Sequence, residues 1–198
     1  MSEFIIIAGG TSSGKTTFAF KLKELLEERA LIISQDNYYK DLPDKSEEEL
    51  KVYNFDLPSS FDHDIMIKDI EKLMTGEEVE EVEYDFQTHR RILTGKKIKP
   101  ADFIILEGIY ALQYKELNKI AKLKIFIDLE DDLRLIRRLN RDVMERGMDL
   151  QTIVAQYLST VKPMHDRFIK DTIKNADLII NTEYDMEKKI ELINRMLN

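Results

Sequence analysis

Phe4-Ile5-Ile6-Ile7-Ala8-Gly9-Gly10-Thr11-Ser12-Ser13-Gly14-Lys15-Thr16-Thr17 decides the fold. Residues 4–8 form a short apolar run of strand type, and residues 9–16 spell the G-x-x-x-x-G-K-[ST] phosphate-binding loop. Beyond it Phe18, Ala19, Leu22, Leu25 and Leu26 recur at helical spacing. The loop therefore joins a buried strand to a helix N-terminus. Glycines let successive backbone N–H groups turn towards one anion, and the helix end adds its positive dipole. Gly9, Gly10, Thr11, Ser12, Ser13, Gly14 and Thr17 are thus candidates to cradle a nucleoside triphosphate. Lys15 would reach the outer phosphates, and the Thr16 hydroxyl would hold Mg²⁺. A glycine-rich turn entering a helix is the bland alternative, and the complete motif in a strand–loop–helix context argues against it.

Working outward, short apolar runs alternate with helical patterns, the signature of an α/β protein with a parallel sheet covered by helices. Candidate strands are 4–8, 31–34, 103–107, 124–128 and 177–180. Candidate helices are 15–29, 46–52, 64–75, 113–120, 131–146, 150–160, 163–174 and 186–197. Ser46 with Glu49 fits a capping box, and Gly76 fits a helix stop. Residues 79–99 read as a hairpin outside the parallel sheet, with Thr94-Gly95-Lys96-Lys97 as a turn. The 198 residues suit one domain with a small insertion. The absence of cysteine removes disulfides and thiolate chemistry, and a net charge of −8 argues against a general nucleic-acid binder. No run has the length of a membrane span or the form of a signal peptide, so the cytoplasm is the expected location.

Three further elements could carry chemistry. Asp36 follows the second strand in Ser34-Gln35-Asp36-Asn37-Tyr38-Tyr39, at the strand-end position where open parallel sheets bind ligands. A carboxylate there can accept a hydroxyl proton or help coordinate Mg²⁺ through water; from position alone it could equally cap a turn. Phe103-Ile104-Ile105-Leu106-Glu107-Gly108 is an apolar strand ending in an acid, suited to holding the metal's water shell. Arg134, Arg137, Arg138, Arg141 and Arg146 crowd one helix and its end. By themselves they read as a solvated face paired to Glu130, Asp131, Asp132 and Glu145, although guanidinium charge also suits a migrating phosphoryl group. Gly147 marks a helix stop and a hinge. His63, His89 and His165 have no metal-ligand spacing, and His89 sits where it could hydrogen-bond a substrate.

In combination these pieces resemble the uridine kinases (uridine–cytidine kinases) of the P-loop kinase class. The matching stretches are Gly9–Thr17, Ser34-Gln35-Asp36 with Tyr38-Tyr39, Asn54-Phe55-Asp56 with Pro58 and Phe61-Asp62. They continue through Tyr84-Asp85-Phe86 with Thr88-His89 and Arg91, Ala101-Asp102 to Ile109, Arg141-Asp142-Val143 to Gly147, Gln156-Tyr157, Val161-Lys162-Pro163-Met164 and Ala176 to Ile180. The resemblance implies a P-loop NTPase fold of five parallel strands, a β-hairpin insertion at about 79–99 over a nucleoside pocket and a helical lid at about 134–160. It implies ATP or GTP as donor and uridine or cytidine as acceptor. Asp36 would be the general base on the 5′-hydroxyl. Tyr39, Asp56, Tyr84, His89, Arg138 and Gln156 would contact the nucleoside, Arg141 and Arg146 the triphosphate, and Thr16 with Glu107 the metal. A homotetramer is the family's common assembly. Two positions depart: Met148 stands where the family has a second arginine after Glu-Arg-Gly, and Leu57 where it has histidine. They leave open another small hydroxylated acceptor, such as a phosphosugar; a nucleotide-binding protein with degenerate catalysis is the rival from another class.

Overall fold

The computed structural model describes residues 2–184 and 186–197. Five strands form one parallel sheet: β1 (Glu3–Gly9), β2 (Ala30–Ser34), β5 (Phe103–Gly108), β6 (Leu123–Ile127) and β7 (Leu178–Ile180), in the order β2-β5-β1-β6-β7. The predicted strands all occur, β1 at the centre. A strand covered on both faces reads as an unbroken apolar run, and Phe4 to Ala8 are fully buried. Phe4, Ile6, Ile104 and Leu106 enter the core on one face, Ile5, Ile7, Phe103 and Ile105 the core on the other. The second face is closed by α1 (Lys15–Leu26), through Phe18, Ala19 and Leu22, and by the C-terminal helix, through Ile190 and Ile193.

On the first face lies α3 (His63–Thr75), burying Met66, Ile70 and Leu73 and ending at Gly76, whose φ of +93° is the predicted stop. The short α2 (Glu47–Val52) carries the expected capping box: Glu49 N–H donates to Ser46 Oγ at 3.3 Å, and Ser46 N–H to Glu49 Oε2 at 2.9 Å. The hairpin exists as β3 (Val79–Asp85) and β4 (Arg90–Ile98), but its turn is not at 94–97. The chain reverses at residues 86–89. There Asp85 Oδ1 accepts the Gln87 N–H at 2.8 Å and Asp85 Oδ2 the Thr88 hydroxyl at 2.7 Å. Gly95, with a φ of +76°, serves a bulge, where pairing shifts from Glu80↔Lys97 to Val82↔Leu93.

The remaining helices are α4 (Lys115–Ile120), α5 (Asp131–Met144), α6 (Leu150–Gln156), α7 (Lys162–Met164) and α8 (Met186–Leu197). The two helices expected at 150–160 and 163–174 are one helical run, in which wider π-type turns at Tyr157–Val161 and His165–Ile169 flank α7. Pro163 has no N–H and crowds the carbonyl four residues back, and the wide turns absorb that mismatch without ending the helix.

Candidate active site

At the carboxyl end of β1 the loop closes on itself: the Ser13 N–H donates to the Gly10 carbonyl at 3.2 Å. Gly14 caps α1 with a φ of +95°, a conformation that glycine adopts without a Cβ clash. Thr182, just after β7, donates its hydroxyl to the Ser13 carbonyl at 2.9 Å. Ser12 Oγ and Ser13 Oγ are buried without partners. Lys15 is 9% exposed in the first turn of α1. Beside it, Glu107 accepts hydrogen bonds from the Thr16 hydroxyl at 3.0 Å and the Ser34 hydroxyl at 2.7 Å. Burial pushes the Glu107 carboxyl above its usual range, with Asp36 adding to the shift, while Lys15 and the two hydroxyls oppose it.

No cluster of three His, Asp or Glu side chains forms a metal cage among the described residues. Mg²⁺ needs none, because beside a triphosphate it keeps several waters and takes only one or two protein oxygens. The Thr16 hydroxyl and the buried Glu107 carboxyl, 3% exposed, fit that demand, with Asp36 nearby.

Asp36 lies in the turn after β2, half-buried. Ser34, at the head of this turn, gives it no side-chain cap and spends its hydroxyl on Glu107. Asp36 follows Ser34 by two residues and precedes Tyr39 by three, and its charge raises the pKa of Glu107, Asp56 and Tyr39. A buried network unrecognised in the sequence fixes its neighbour. Gln35 donates to Tyr114 Oη at 2.9 Å and accepts the Tyr110 N–H at 2.9 Å, and Tyr114 Oη lies 2.6 Å from His63 Nδ1. Gly108 leaves room for this: a Cβ there would meet Gln35 at 2.4 Å.

Opposite the loop stands an aromatic cage. Tyr39 stacks on Phe61 at 4.1 Å between ring centroids and lies 5.0 Å from Tyr84, 5.9 Å from Phe86 and 6.2 Å from Phe55. Phe55 stacks on His89 at 4.3 Å with planes 14° apart. Tyr84 Oη and His89 Nδ1 are buried without hydrogen-bond partners. Burial pushes the Tyr84 hydroxyl up to about 12 and lowers His89, so both are neutral at pH 7 and present one polar atom each. Tyr39, Tyr84 and His89 are brought together as expected. Phe55, Phe61 and Phe86 were quoted only as part of a motif, and their shared cage is a tertiary fact.

Asp56 accepts the Thr160 hydroxyl at 2.7 Å, and its carbonyl accepts Tyr110 Oη. Burial raises the Asp56 carboxyl, while Thr160 and Arg138 hold it down. Gln156 is exposed on α6, and its carbonyl, 3.0 Å from the Thr160 hydroxyl, shares that hydroxyl with Asp56.

The arginines do not form the solvated face expected from their neighbours. Arg138, Arg141 and Arg146 converge on Asp142, at 3.3, 2.8 and 3.4 Å, and Asp142 is fully buried. Arg138 also donates to Thr11 Oγ1 at 3.3 Å, tying α5 to the phosphate loop. Burial lowers the Arg138 pKa, and Asp142 and Asp56 oppose the shift. Arg137 reaches Thr182 and Glu183. Arg134 is buried, donates to the Leu129 carbonyl at 3.1 Å, pairs with Asp131 and covers Gly10, where a Cβ would lie 2.4 Å from its guanidinium. Met148 is half-buried and gives its N–H to the Asp142 carbonyl at 3.0 Å, so this departure extends the same arginine corner without adding a cation.

The comparisons agree with this geometry. The family described as "Phosphoribulokinase / Uridine kinase family" matches residues 4–187. A uridine kinase of Halobacterium salinarum is 44% identical over 174 residues, covering 88% of this chain and 77% of its own. One from Staphylococcus aureus strain JH9 is 43% identical over 180 residues, covering 90% and 87%. Among solved structures, a putative fructose transport system kinase from Silicibacter superposes with a TM-score of 0.72 at 18% identity, covering 90% of this chain and 89% of its own. A possible uridine kinase from Bacillus stearothermophilus gives 0.63 at 18% identity, covering 90% and 88%; at such identities the likeness is one of fold. The match over nearly the whole chain, on a phosphate loop set into a five-stranded parallel sheet, makes this chain a member of the phosphoribulokinase / uridine kinase family, a phosphotransferase of the P-loop kinase class.

Proposed function

We propose that the protein transfers the γ-phosphoryl group of ATP or GTP to the 5′-hydroxyl of uridine or cytidine, giving UMP or CMP, as a cytoplasmic enzyme of pyrimidine salvage. One observation carries the reading. Asp36 comes two residues after Ser34, which hydrogen-bonds Glu107 of the Thr16–Glu107 pair, and three before Tyr39 of a cage whose Tyr84 and His89 have unpartnered polar atoms. Stacked rings suit a planar base, and the two polar atoms suit its edge. Asp36 accepts the hydroxyl proton, Lys15 offsets charge on the phosphates, and Arg141 and Arg146 supply guanidinium charge from the α5 side. Thr16 and Glu107, with Asp36, would hold Mg²⁺, which when bound would neutralise charge on the phosphates.

A phosphosugar acceptor is favoured by Met148 and Leu57 but calls for unpaired cations at the cage, and Arg90 and Arg91 are paired with Asp41 at 3.4 Å and Asp62 at 3.2 Å. Replacing Asp36 by Asn tests the reading, with nucleosides and phosphosugars offered in parallel and ADP release measured. Turnover on uridine should fall about 10²- to 10⁴-fold with donor affinity retained. Undiminished turnover removes Asp36 from the chemistry, and a phosphosugar preferred by the unaltered enzyme overturns the acceptor.

A further inference from the structure

Arg146 does not lie on the phosphate loop. It follows the end of α5 beside Gly147, which has a φ of +64° and open space around it, the setting of a pivot. Its Cζ stands 5.4 Å over the ring of Phe86, and its Nη1 is 3.4 Å from Asp142. Phe86 is half-exposed in the hairpin turn and meets the cage edge-on, 5.2 Å from Tyr84 and 5.9 Å from Tyr39. Contacts thus run without a gap from Thr11 through Arg138, Asp142, Arg146 and Phe86 to Tyr84.

We propose that Phe86 is a positioning residue that parks Arg146 away from the phosphates until an acceptor fills the cage, holding down phosphoryl transfer to water. The inference rests on the cage being the acceptor site. Asp142 sets one negative charge against three guanidiniums, so the corner keeps a positive excess that a triphosphate would draw on. Of the three, Arg146 is the most exposed, at 41% against 30% for Arg141 and 11% for Arg138, and is the one free to leave. Its hold on Phe86 is weak by nature, because a half-solvated cation over a ring is a modest attraction, and the parked arrangement is easily reversed. A planar acceptor entering the cage competes for the same ring, and Arg146 is released only when the acceptor hydroxyl is present to receive the phosphoryl group.

The test uses the full chain with MgATP or MgGTP, whichever it turns over, and no acceptor. In this side reaction water attacks the γ-phosphorus, the bond to the bridging oxygen of the nucleoside diphosphate breaks, and diphosphate, inorganic phosphate and a proton are released. Phe86→Leu should raise that rate about two- to fivefold, the population shift expected from losing such a contact. Phe86→Tyr, which keeps the ring, should raise the rate less than Phe86→Leu does, and Phe86→Leu combined with Arg146→Ala should lose the rise. The inference is overturned by an unchanged rate in Phe86→Leu, by an equal rise in Phe86→Tyr, or by a rise that survives loss of Arg146. Because no acceptor is added, the result is independent of whether uridine is the substrate, which the acceptor panel decides separately.

Discussion

The phosphate end of the cleft is made from one contiguous run, residues 9–17, hung on the central strand and tied to its surroundings by backbone and hydroxyl contacts. The acceptor end is assembled from the turn after β2, the segment 53–62 and the hairpin, held by ring contacts between Tyr39, Phe55, Phe61, Tyr84 and Phe86. Three of these rings belong to the core, Phe61 at 1% exposed, Tyr84 at 7% and Tyr39 at 8%, while Phe86 stands half-exposed at its edge. Lys15 is buried too, but it is spent on no ion pair among the described residues. On the proposed function, side chains at the phosphate end serve the ligand and leave stability to the backbone, whereas at the acceptor end one set of rings serves both.

That contrast can be broken by experiment. Phe61→Ala should destabilise the protein by about 3–5 kcal/mol, read from urea unfolding, because it opens a cavity in the first core. A loss under 1 kcal/mol would detach the cage from the fold. Lys15→Ala should cut turnover about 10²- to 10³-fold and leave the unfolding midpoint and acceptor affinity nearly unchanged. A large fall in stability would instead give this lysine a structural duty. The smallest change sharpens the picture. Tyr84→Phe removes a hydroxyl that has no partner, so stability should hold or rise slightly, while acceptor KM climbs about tenfold, the worth of one hydrogen bond to a ligand. An unaltered KM would place the base elsewhere.

What the sequence disclosed follows the same division. A phosphate loop is legible because its residues are neighbours in the chain and each has a local reason to be there. The hairpin turn was misplaced because a glycine at positive φ serves a bulge as well as a turn, and the truer signal was Asp85, whose carboxylate folds the next residues back. The helices expected at 150–160 and 163–174 run on as one, and the wide turns on either side of Pro163 explain why. The partner of the arginines stood at a readable spacing, since Asp142 is four residues from both Arg138 and Arg146; what the sequence hides is its burial, which comes from tertiary packing. Thr160, whose hydroxyl reaches Asp56 and the Gln156 carbonyl, has no local signal in the sequence.

The pairing of β1 with β5 sets Ile7 beside Glu107, and that of β2 with β5 sets Ser34 beside the same residue. Glu107 shares its alternation with Phe103 and Ile105, on the side where α1 brings Thr16. Slide β5 by a single step and the carboxylate would swing to the far side of the sheet, carrying Phe103 and Ile105 out of their places with it. Evolution could hardly misalign this acid alone: the same greasy alternation that keeps water out of the sheet also aims the charge.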